Sequence, residues 1–300
     1  MAKQNNVYLY GVIEKPPRII KDLETDSPTQ GIAYIHTVRS VRNAHDGRRY
    51  VKHDHPLIIA QTEKTINEMA TWDENDLAYI KGSLFSKRIE KKTYCPECKG
   101  ENYVKGLLSY VAPIFVKKVA EEENLNEAVN NIIKNREVSN QAIIIGNLLN
   151  EPSCYQIESG LIVTQYQIIT NRKVRVKADE PDVKADVLWV KSYGSQAIED
   201  RLRLTRGSVV IIDGYLQARQ VRHKTKCQHC GYIYPWIDQA MEIVPFDTEY
   251  VQGTFKTDEM LEAEGNGTIE ELKANIKEKV EGDKNRFNKH EDILDIEENL

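Results

Sequence analysis

Two pairs of cysteines are the residues of this chain best suited to binding chemistry. Cys95 and Cys98 form one Cys-x-x-Cys pair, and Cys227 and Cys230 form a second. Each pair supplies half of a tetrahedral zinc site, and four thiolates together fill one. Residues 90–106 contain no other Cys or His, so the first pair cannot complete a site locally. The spacing therefore predicts one structural Zn²⁺ bound by all four cysteines, shared either within one chain or between two chains.

Two other interpretations of these pairs remain open, namely a redox couple and reduced structural thiols. A redox Cys-x-x-Cys usually begins a helix in a βαβ unit, whereas these pairs lie in polar loops between predicted strands, which favours zinc. His223 and His229 are alternative ligands for the second pair only. Cys154 has no partner and is predicted to be a small buried residue. Four cysteines in tight pairs indicate a metal site in a reducing compartment rather than a disulfide framework.

The segment His53-Asp54-His55 raises the alternative of a metal or phosphohydrolase site. The helical setting and distant ligands of such a site are not visible in the sequence, so the segment is interpreted as the polar start of a strand. The motifs GxxxxGK[ST], HExxH and GxSxG are absent from the sequence. The chain is therefore predicted not to be an enzyme.

The elements that position the cysteines occur twice. An offset near 132 residues relates Lys81–Leu84 to Asp213–Leu216 and each cysteine to its counterpart. In each copy the apolar pattern predicts five strands with a short helix between the third and the fourth, which is the order of an OB-fold. In the first copy the predicted elements after the first strand are strand Gly31–Arg42, strand Tyr50–Ala60, helix Thr62–Ala70, strand Asp76–Ile89 and strand Leu108–Val119.

The predicted fold is therefore all-β, with two tandem OB-fold barrels at residues 1–120 and 140–250, each carrying a zinc-knuckle hairpin. Apolar residues at helical spacing predict a joining helix within residues 121–139. Residues 251–300 are predicted to form an acidic helix, begun by a capping box at Thr268 and Glu271, and a flexible acidic tail.

Residues 140–245 carry a specific combination of spaced residues. Asn140–Leu148 is followed by Pro152, Thr170-Asn171-Arg172 ends the next strand, and Gly194 ends the strand Val187–Tyr193. A short helix, Arg206-Gly207 and a strand with an internal glycine, Gly214, complete the pattern. At these residues the chain resembles the bacterial-type single-stranded DNA-binding protein family. The Cys-x-x-Cys pairs and a C-terminus without an aromatic residue depart from that family.

The resemblance implies that single-stranded DNA binds on an outer face of the second copy. Binders of this kind combine aromatic stacking platforms with cations along the phosphate track. Strand parity places Trp189 and Tyr193 on one face, and the resemblance assigns base stacking to that face, although a basic residue is more common at the position of Trp189. The predicted nucleic-acid-binding residues are Arg39, Arg42, Arg48, Arg49, Lys52, Phe85, Lys87, Arg172, Trp189, Tyr193, Tyr215 and Arg219. The alternative is that these aromatic residues cover the barrels or pair with the other copy.

The distribution of charge fits such a ligand better than the net charge of −5 does. Residues 251–300 hold 7 Lys and Arg against 14 Asp and Glu, a net charge of −7, and the remaining 250 residues carry +2. The resemblance implies that an acidic C-terminal tip recruits replication or repair proteins. The alternative is a solvated tail that screens the basic groove. The absence of a long apolar run and of a signal peptide predicts a cytoplasmic protein without a membrane span.

The sequence therefore predicts a non-enzymatic protein that coats single-stranded DNA during replication, recombination or DNA transfer. Two alternatives remain, a zinc-stabilised adaptor of a replication or transfer complex and a binder of single-stranded RNA, since OB-folds serve both polymers. Whether the chain forms homo-oligomers is left open by the sequence.

Overall fold

The structure is a computed structural model that describes residues 4–42, 49–135, 139–157, 159–172, 183–265 and 267–282. The strands of the first half are β1 (Asn5–Ile13), β2 (Arg18–Lys21), β3 (Pro28–Arg42), β4 (Arg49–Asp54), β5 (Leu57–Ala60), β6 (Leu77–Tyr94) and β7 (Glu101–Ala120), with helix α1 (Glu63–Met69) between β5 and β6. Helix α2 (Leu125–Asn135) follows. The second half has β8 (Asn140–Leu148), β9 (Ser153–Gln156), β10 (Ile162–Asn171), β11 (Ala185–Tyr193), α3 (Gly194–Arg203), β12 (Val209–Lys226) and β13 (Ile233–Tyr250). Helices α4 (Asp258–Gly265) and α5 (Ile269–Gly282) end the described chain.

The first half, β1–β7 with α1, is named the N-unit. Its strands pair in the closed order β1–β3–β5–β7–β6–β1, in which β5 and β7 are parallel and the other neighbours are antiparallel. Alternate residues point inward, so Leu9, Ile35, Ile58 and Ile80 are fully buried. Helix α1, capped by the Thr62 side chain, buries its apolar face against this sheet.

The second half, β8–β13 with α3, is named the C-unit and repeats this topology. Its strands pair in the closed order β8–β10–β11–β13–β12–β8, and β11 and β13 are the parallel neighbours. Tyr166, Leu188, Leu216 and Ile243 are fully buried inside it. The fold was predicted as all-β, and the structure is mostly β with five helices among the described residues; the repeat seen in the sequence corresponds to two units of the same strand order.

The two units form one continuous structure. Strands β1 and β8 pair antiparallel, with Val7 opposite Ala142, and a single cluster of buried apolar residues includes members of both units. Helix α2 lies on the N-unit, where its Ala128 and Ile132 pack against Val12 and Val38. The helix between the units therefore covers the outside of the first one.

Each unit extends one long hairpin beyond its closed sheet. In the N-unit β6 and β7 remain paired from Leu77 to Tyr94, and in the C-unit β12 and β13 remain paired from Val210 to Lys226. Both hairpins are bent by a register shift at a glycine, Gly82 in one and Gly214 in the other. A Cβ at Gly214 would lie 2.3 Å from the carbonyl oxygen of Val244, so only glycine allows this close approach of the strands.

The chain after β13 folds back onto the C-unit. The backbone N–H of Thr268 donates to the Glu271 carboxylate at 2.8 Å, and the N–H of Glu271 donates to the Thr268 hydroxyl at 3.4 Å, which is the predicted capping box at the start of α5. Helix α5 then packs Ile276 beside Ile198 of α3. The predicted protein-recruiting tip lies outside the described residues.

Candidate metal centre and nucleic-acid interface

The tips of the two long hairpins bring the four predicted metal ligands together. The Sγ atoms of Cys95, Cys98, Cys227 and Cys230 all lie within 4.8 Å of one another. Cys95 Sγ lies 3.7 Å from Cys230 Sγ, and Cys98 Sγ lies 3.6 Å from Cys227 Sγ. All four are free thiols. The cluster is therefore formed within one chain, with two sulfurs from each unit.

The backbone holds each pair of cysteines in the same turn. In the N-unit, Lys99 N–H donates to Cys95 O at 3.0 Å, and in the C-unit Gly231 N–H donates to Cys227 O at 3.0 Å. Lys99 and Gly231 both have positive φ, at 58° and 76°. This conformation suits glycine, and at Lys99 it is a local strain that the turn imposes.

Hydrogen bonds across the two tips surround the sulfur of Cys227. The Asn102 side-chain amide donates to Cys227 Sγ at 3.5 Å, and the same side chain accepts the N–H of Gln228 at 2.8 Å. Burial raises the pKa of the Cys227 thiol, but hydrogen bonds from the Cys230 backbone, the Asn102 amide and the His229 backbone outweigh it and lower the pKa to about 5. These hydrogen bonds favour the thiolate form of Cys227, which is the form that binds a metal.

The sulfur spacing fits the size of a tetrahedral thiolate site. Four Zn–S bonds of about 2.3 Å place neighbouring sulfurs about 3.8 Å apart, close to the two shortest distances in the cluster. The alternative ligands are occupied elsewhere, because His229 Nε2 lies 2.9 Å from Glu101 O and the ring of His223 stacks on Trp236. Cys154 is partly buried beside Ala197 and takes no part in the cluster.

Two of the residues predicted to stack on bases instead contact arginines of the other unit. Arg172 of the C-unit places its Cζ 3.8 Å from the centroid of the Phe85 ring in the N-unit. Arg172 is fixed by two hydrogen bonds to Asp186, at 3.0 and 2.6 Å. Phe85 is 1% exposed and lies edge-on to Tyr110. This pair is therefore part of the contact between the units.

The reciprocal pair has the same form. Arg39 of the N-unit places its Cζ 3.8 Å from the centroid of the Tyr215 ring in the C-unit, and Asp54 binds Arg39 Nε at 2.6 Å. Tyr215 is 8% exposed and also contacts Phe246. Each unit thus extends one arginine, held by an aspartate of its own, onto an aromatic ring of the other unit.

A groove of about 1060 Å³ lies between the N-unit hairpin and the C-unit, and it collects other predicted residues. Lys87 lines it from β6, and Trp189 and Arg219 line it from β11 and β12. Trp236 of β13 also lines it, stacked on His223 with ring centroids 4.8 Å apart. Both tryptophans are partly exposed, so each offers a ring face or edge to the groove.

Cations of this groove come from the N-unit wall. Lys87, Arg88 and Lys105 are exposed there, and none of them forms an ion pair within the part of the chain that the structure describes. Arg219, by contrast, is bound to Glu242 through two hydrogen bonds at 2.8 and 2.6 Å, so its charge is balanced. Among the described residues, the groove therefore has cations without an ion pair on its N-unit wall and indole rings on its C-unit wall.

Of the remaining predicted residues, Tyr193 and Lys52 do not line this groove. The Tyr193 hydroxyl donates to Gln217 at 3.2 Å, and burial raises the pKa of Tyr193. Lys52 is partly exposed on β4. Arg48 and the side chains of Arg42 and Arg49 lie outside the described residues.

Sequence reasoning missed Trp236, although a signal for it existed. The sequence shows a basic run from Arg222 to Lys226, and in the structure His223 of this run lies directly opposite Trp236 in the β12–β13 register. Recognising that the hairpin continues through the basic run would have placed the tryptophan on the same face.

Comparison with known proteins finds a family to which the C-unit is similar. Residues 139–231 match the model of the "Single-strand binding protein family". The resemblance predicted from the spaced residues of the second copy is therefore confirmed over that range. It includes β8, α3, β12 and the second cysteine pair.

The chain is also similar to individual single-stranded DNA-binding proteins. The chain is 29% identical over 77 residues to a "Single-stranded DNA-binding protein" of Aquifex aeolicus, a match that covers 26% of this chain and 52% of the relative. The chain thus spans about half the length of this curated relative. Among solved structures, a deletion variant of the single-stranded DNA binding protein from Thermus aquaticus has a TM-score of 0.58 at 14% identity, covering 86% of this chain and 100% of that one.

The wild-type protein from Thermus aquaticus has a TM-score of 0.55 at 14% identity, covering 84% of this chain and 95% of that one. At this identity the similarity concerns the fold, and it extends over both units rather than over the C-unit alone. None of the helices described in the structure combines the length and the hydropathy needed to cross a bilayer.

Proposed function

We propose that this protein binds single-stranded DNA without catalysing a reaction, and that the strand lies in the groove between the N-unit hairpin and the C-unit. The observation that carries the proposal is the match of the C-unit to the single-strand binding protein family, together with a groove that this unit lines with Trp189 and Trp236. In this proposal both closed sheets are OB-folds, joined in tandem in one chain.

The two walls of the groove supply the two interactions that sequence-tolerant binding requires. Every base has a π-face, so partly exposed indole rings stack on bases without selecting among them. Lys87, Arg88 and Lys105 face the same space and can neutralise phosphates, with release of counterions and a loss of affinity in salt. In this proposal the N-unit therefore supplies the positive charges that contact phosphates, and the C-unit supplies the rings that stack on bases.

The cysteine cluster, in this proposal, holds one structural zinc ion that fixes the width of the groove. Both long hairpins contribute to the walls of the groove, and their tips meet through the cluster and through neighbouring contacts such as the hydrogen bond between Thr93 and Tyr234 at 2.9 Å. A filled four-thiolate site has no open position, so its role is structural.

The test is fluorescence anisotropy of the full chain with labelled oligo-thymidine, in competition with duplex DNA and with RNA of matched sequence. We expect Trp189→Ala and Trp236→Ala each to weaken binding by about 5- to 150-fold, the equivalent of about 1–3 kcal/mol per stacked base. Phe115→Ala is the matched control, because Phe115 is 42% exposed and does not line the groove.

The competition arms decide between the alternatives. If RNA displaces the labelled oligo-thymidine as effectively as DNA does, the groove binds single strands of either polymer. Absence of binding by the parent at moderate salt would refute the proposal and favour the adaptor of a replication or transfer complex. If the parent binds oligo-thymidine and neither tryptophan substitution weakens that affinity, the strand lies on another surface.

The proposal also includes a cellular process and a role for the acidic C-terminal residues. Coating of unwound strands in replication, recombination or DNA transfer requires access to cytoplasmic DNA, and the acidic residues 283–300 offer charge for recruiting replication or repair proteins. Pull-down with the full chain, compared with a chain ending at Gly282, tests the recruitment.

A further inference from the structure

A second cluster of metal-ligating side chains lies in the N-unit, on elements separate from the cysteine hairpins. Glu14 follows the end of β1, His36 lies in β3, and His55 follows β4. Glu14 Oε1 lies 2.7 Å from His36 Nδ1 and 3.2 Å from His55 Nε2. One ligand atom from each of the three residues lies within 4.8 Å of the other two.

The buried member of this cluster has an unused ligand atom directed into it. His36 is 6% exposed, and its Nδ1 forms no hydrogen bond of acceptable geometry among the described residues, although Glu14 Oε1 lies 2.7 Å away. An unsatisfied buried nitrogen costs free energy, and a cation on its lone pair would recover that cost. A cation between this buried nitrogen and the neighbouring carboxylate oxygen would satisfy both atoms.

The other nitrogen of His36 has a hydrogen-bond partner, as the second nitrogen of a metal-binding histidine usually does. His36 Nε2 lies 2.7 Å from His53 Nδ1, within hydrogen-bond distance. A hydrogen bond at one imidazole nitrogen fixes the ring orientation and tautomer, and it leaves the other nitrogen free to bind the metal. Glu14, His36 and His55 thus form a ligand set with His53 as its outer support.

We propose that Glu14 Oε1, His36 Nδ1 and His55 Nε2 bind one divalent transition-metal ion, with zinc as the expected occupant. Two imidazoles and one carboxylate suit zinc and the neighbouring transition metals rather than Ca²⁺ or Mg²⁺, which prefer oxygen ligands alone. Glu14 and His55 are about one-third exposed, at 36% and 34% of their side chains, so the fourth position is open to water. The site differs in this respect from the filled cysteine cluster.

The location gives this site a structural consequence. It joins the end of β1 to β3 and to the segment after β4, and Asp54, which holds Arg39 against Tyr215, lies between His53 and His55 in the chain. A metal bound here would stiffen the hairpin that carries one of the two arginine contacts between the units. Binding to the folded state alone would then raise stability with metal concentration.

The test is zinc content of the full chain after saturation and gel filtration. We expect two zinc ions per chain in the parent and one in Glu14→Gln and in His55→Gln. Glu63→Gln is the control for a lost surface carboxylate, since Glu63 is exposed on α1, and it should keep two. Because Glu14 and His55 are partly exposed, both variants should fold, and circular dichroism of each variant checks that they do.

A second measurement separates this site from the cysteines. In Co²⁺-loaded protein, Cys95→Ser should weaken the thiolate-to-metal charge-transfer bands, whereas Glu14→Gln should retain them in full and lose only the weaker bands of a nitrogen and oxygen site. If the parent binds one zinc per chain and Glu14→Gln still binds it, the proposal is overturned. If the parent binds one zinc that is lost in Glu14→Gln and kept in Cys95→Ser, the proposal is supported and the cysteine site is refuted.

Discussion

At the scale of single residues, Phe85 and Tyr215 show how an aromatic side chain on a predicted outer face can acquire a different partner. Strand parity places both rings outside their own closed sheets, and the structure does so too. The space outside each sheet is occupied by the other unit, which covers Phe85 with Arg172 and Tyr215 with Arg39. Strand parity predicts which side a residue faces, but it contains no information about what lies there.

This arrangement predicts that Phe85 contributes to stability more than to DNA binding. Phe85→Ala should lower the free energy of unfolding by about 3–5 kcal/mol, because it leaves a cavity at a buried ring. Phe85→Leu keeps most of the volume and should cost less than about 1.5 kcal/mol. Denaturant unfolding of both variants measures the difference.

The affinity of Phe85→Leu for oligo-thymidine is the accompanying measurement, because that variant stays folded. It should bind within about twofold of the parent, unlike Trp189→Ala. A loss comparable to that of Trp189→Ala would mean that Phe85 contacts DNA, as first predicted from the sequence.

At the scale of elements, the long hairpins are the feature that the sequence predicts least well. The apolar pattern in the first copy ends the fourth strand at Ile89 and begins the fifth at Leu108, whereas β6 continues to Tyr94 and β7 starts at Glu101. These outer arms alternate exposed and partly buried residues, and most of them are polar. Hydrophobic periodicity detects strands that bury a face in a core, and these arms instead gain support from the other hairpin and the cysteine cluster.

A break inside a predicted strand has a simpler cause. Tyr50–Ala60 is predicted as one strand, but the structure divides it into β4 and β5 around Pro56, which has no N–H to donate to a ladder. The separation allows β4 to pair only with β3, whereas β5 joins the closed sheet beside β7. The proline was visible in the sequence and could have predicted this.

Removal of the proposed zinc ion is expected to loosen the hairpin arms while leaving the closed sheets intact. The arms have few buried apolar contacts, so their opening free energy depends on the tips being joined. Hydrogen exchange of the zinc-loaded protein, compared with protein treated with a chelator, should show faster exchange in residues 87–94 and 220–226. The amides of β1 and β8 should be unchanged.

The serine variants provide the matched comparison for this prediction. Cys95→Ser and Cys227→Ser remove one ligand from each hairpin tip, so both should accelerate exchange in both hairpins to a similar extent. Cys154→Ser, outside the cluster, is the control. Acceleration confined to the hairpin that carries the substitution would contradict a centre shared between the two tips.

At the scale of the whole molecule, the internal repeat predicts two units, but the sequence does not reveal how they join. The match of Lys81–Leu84 to Asp213–Leu216 and of the cysteine pairs is enough to predict equal strand orders. Pairing of β1 with β8 and the packing of α5 on α3 depend on surfaces that are complete only after each unit has folded. Local periodicity therefore could not predict them.

Two asparagines at this junction have equivalent roles. Asn5 in β1 donates to Leu84 O at 2.8 Å and accepts the Leu84 N–H at 2.9 Å. Asn140 in β8 donates to Leu216 O at 2.8 Å and accepts the Leu216 N–H at 2.9 Å. Both asparagines are buried, so each satisfies two backbone groups that have no access to water.

These asparagines test whether the two units unfold together. Asn5→Ala should cost about 1–3 kcal/mol, because a buried N–H or C=O of Leu84 loses its partner, and Asn140→Ala should cost a similar amount through Leu216. Since one apolar cluster spans both units, we expect a single cooperative transition in each variant. Trp72, which is buried in the N-unit, then reports the same midpoint as the tryptophans of the C-unit.

Denaturant unfolding followed by fluorescence of single-tryptophan variants measures these midpoints separately. In the variant that retains Trp72, Asn5→Ala and Asn140→Ala should both lower the midpoint, although only Asn5 belongs to the unit being observed. The variant that retains Trp236 should give the same pair of shifts. If Asn140→Ala instead lowered the midpoint seen by Trp236 and left that of Trp72 unchanged, the units would be independent domains, and the continuous core would contribute little coupling between them.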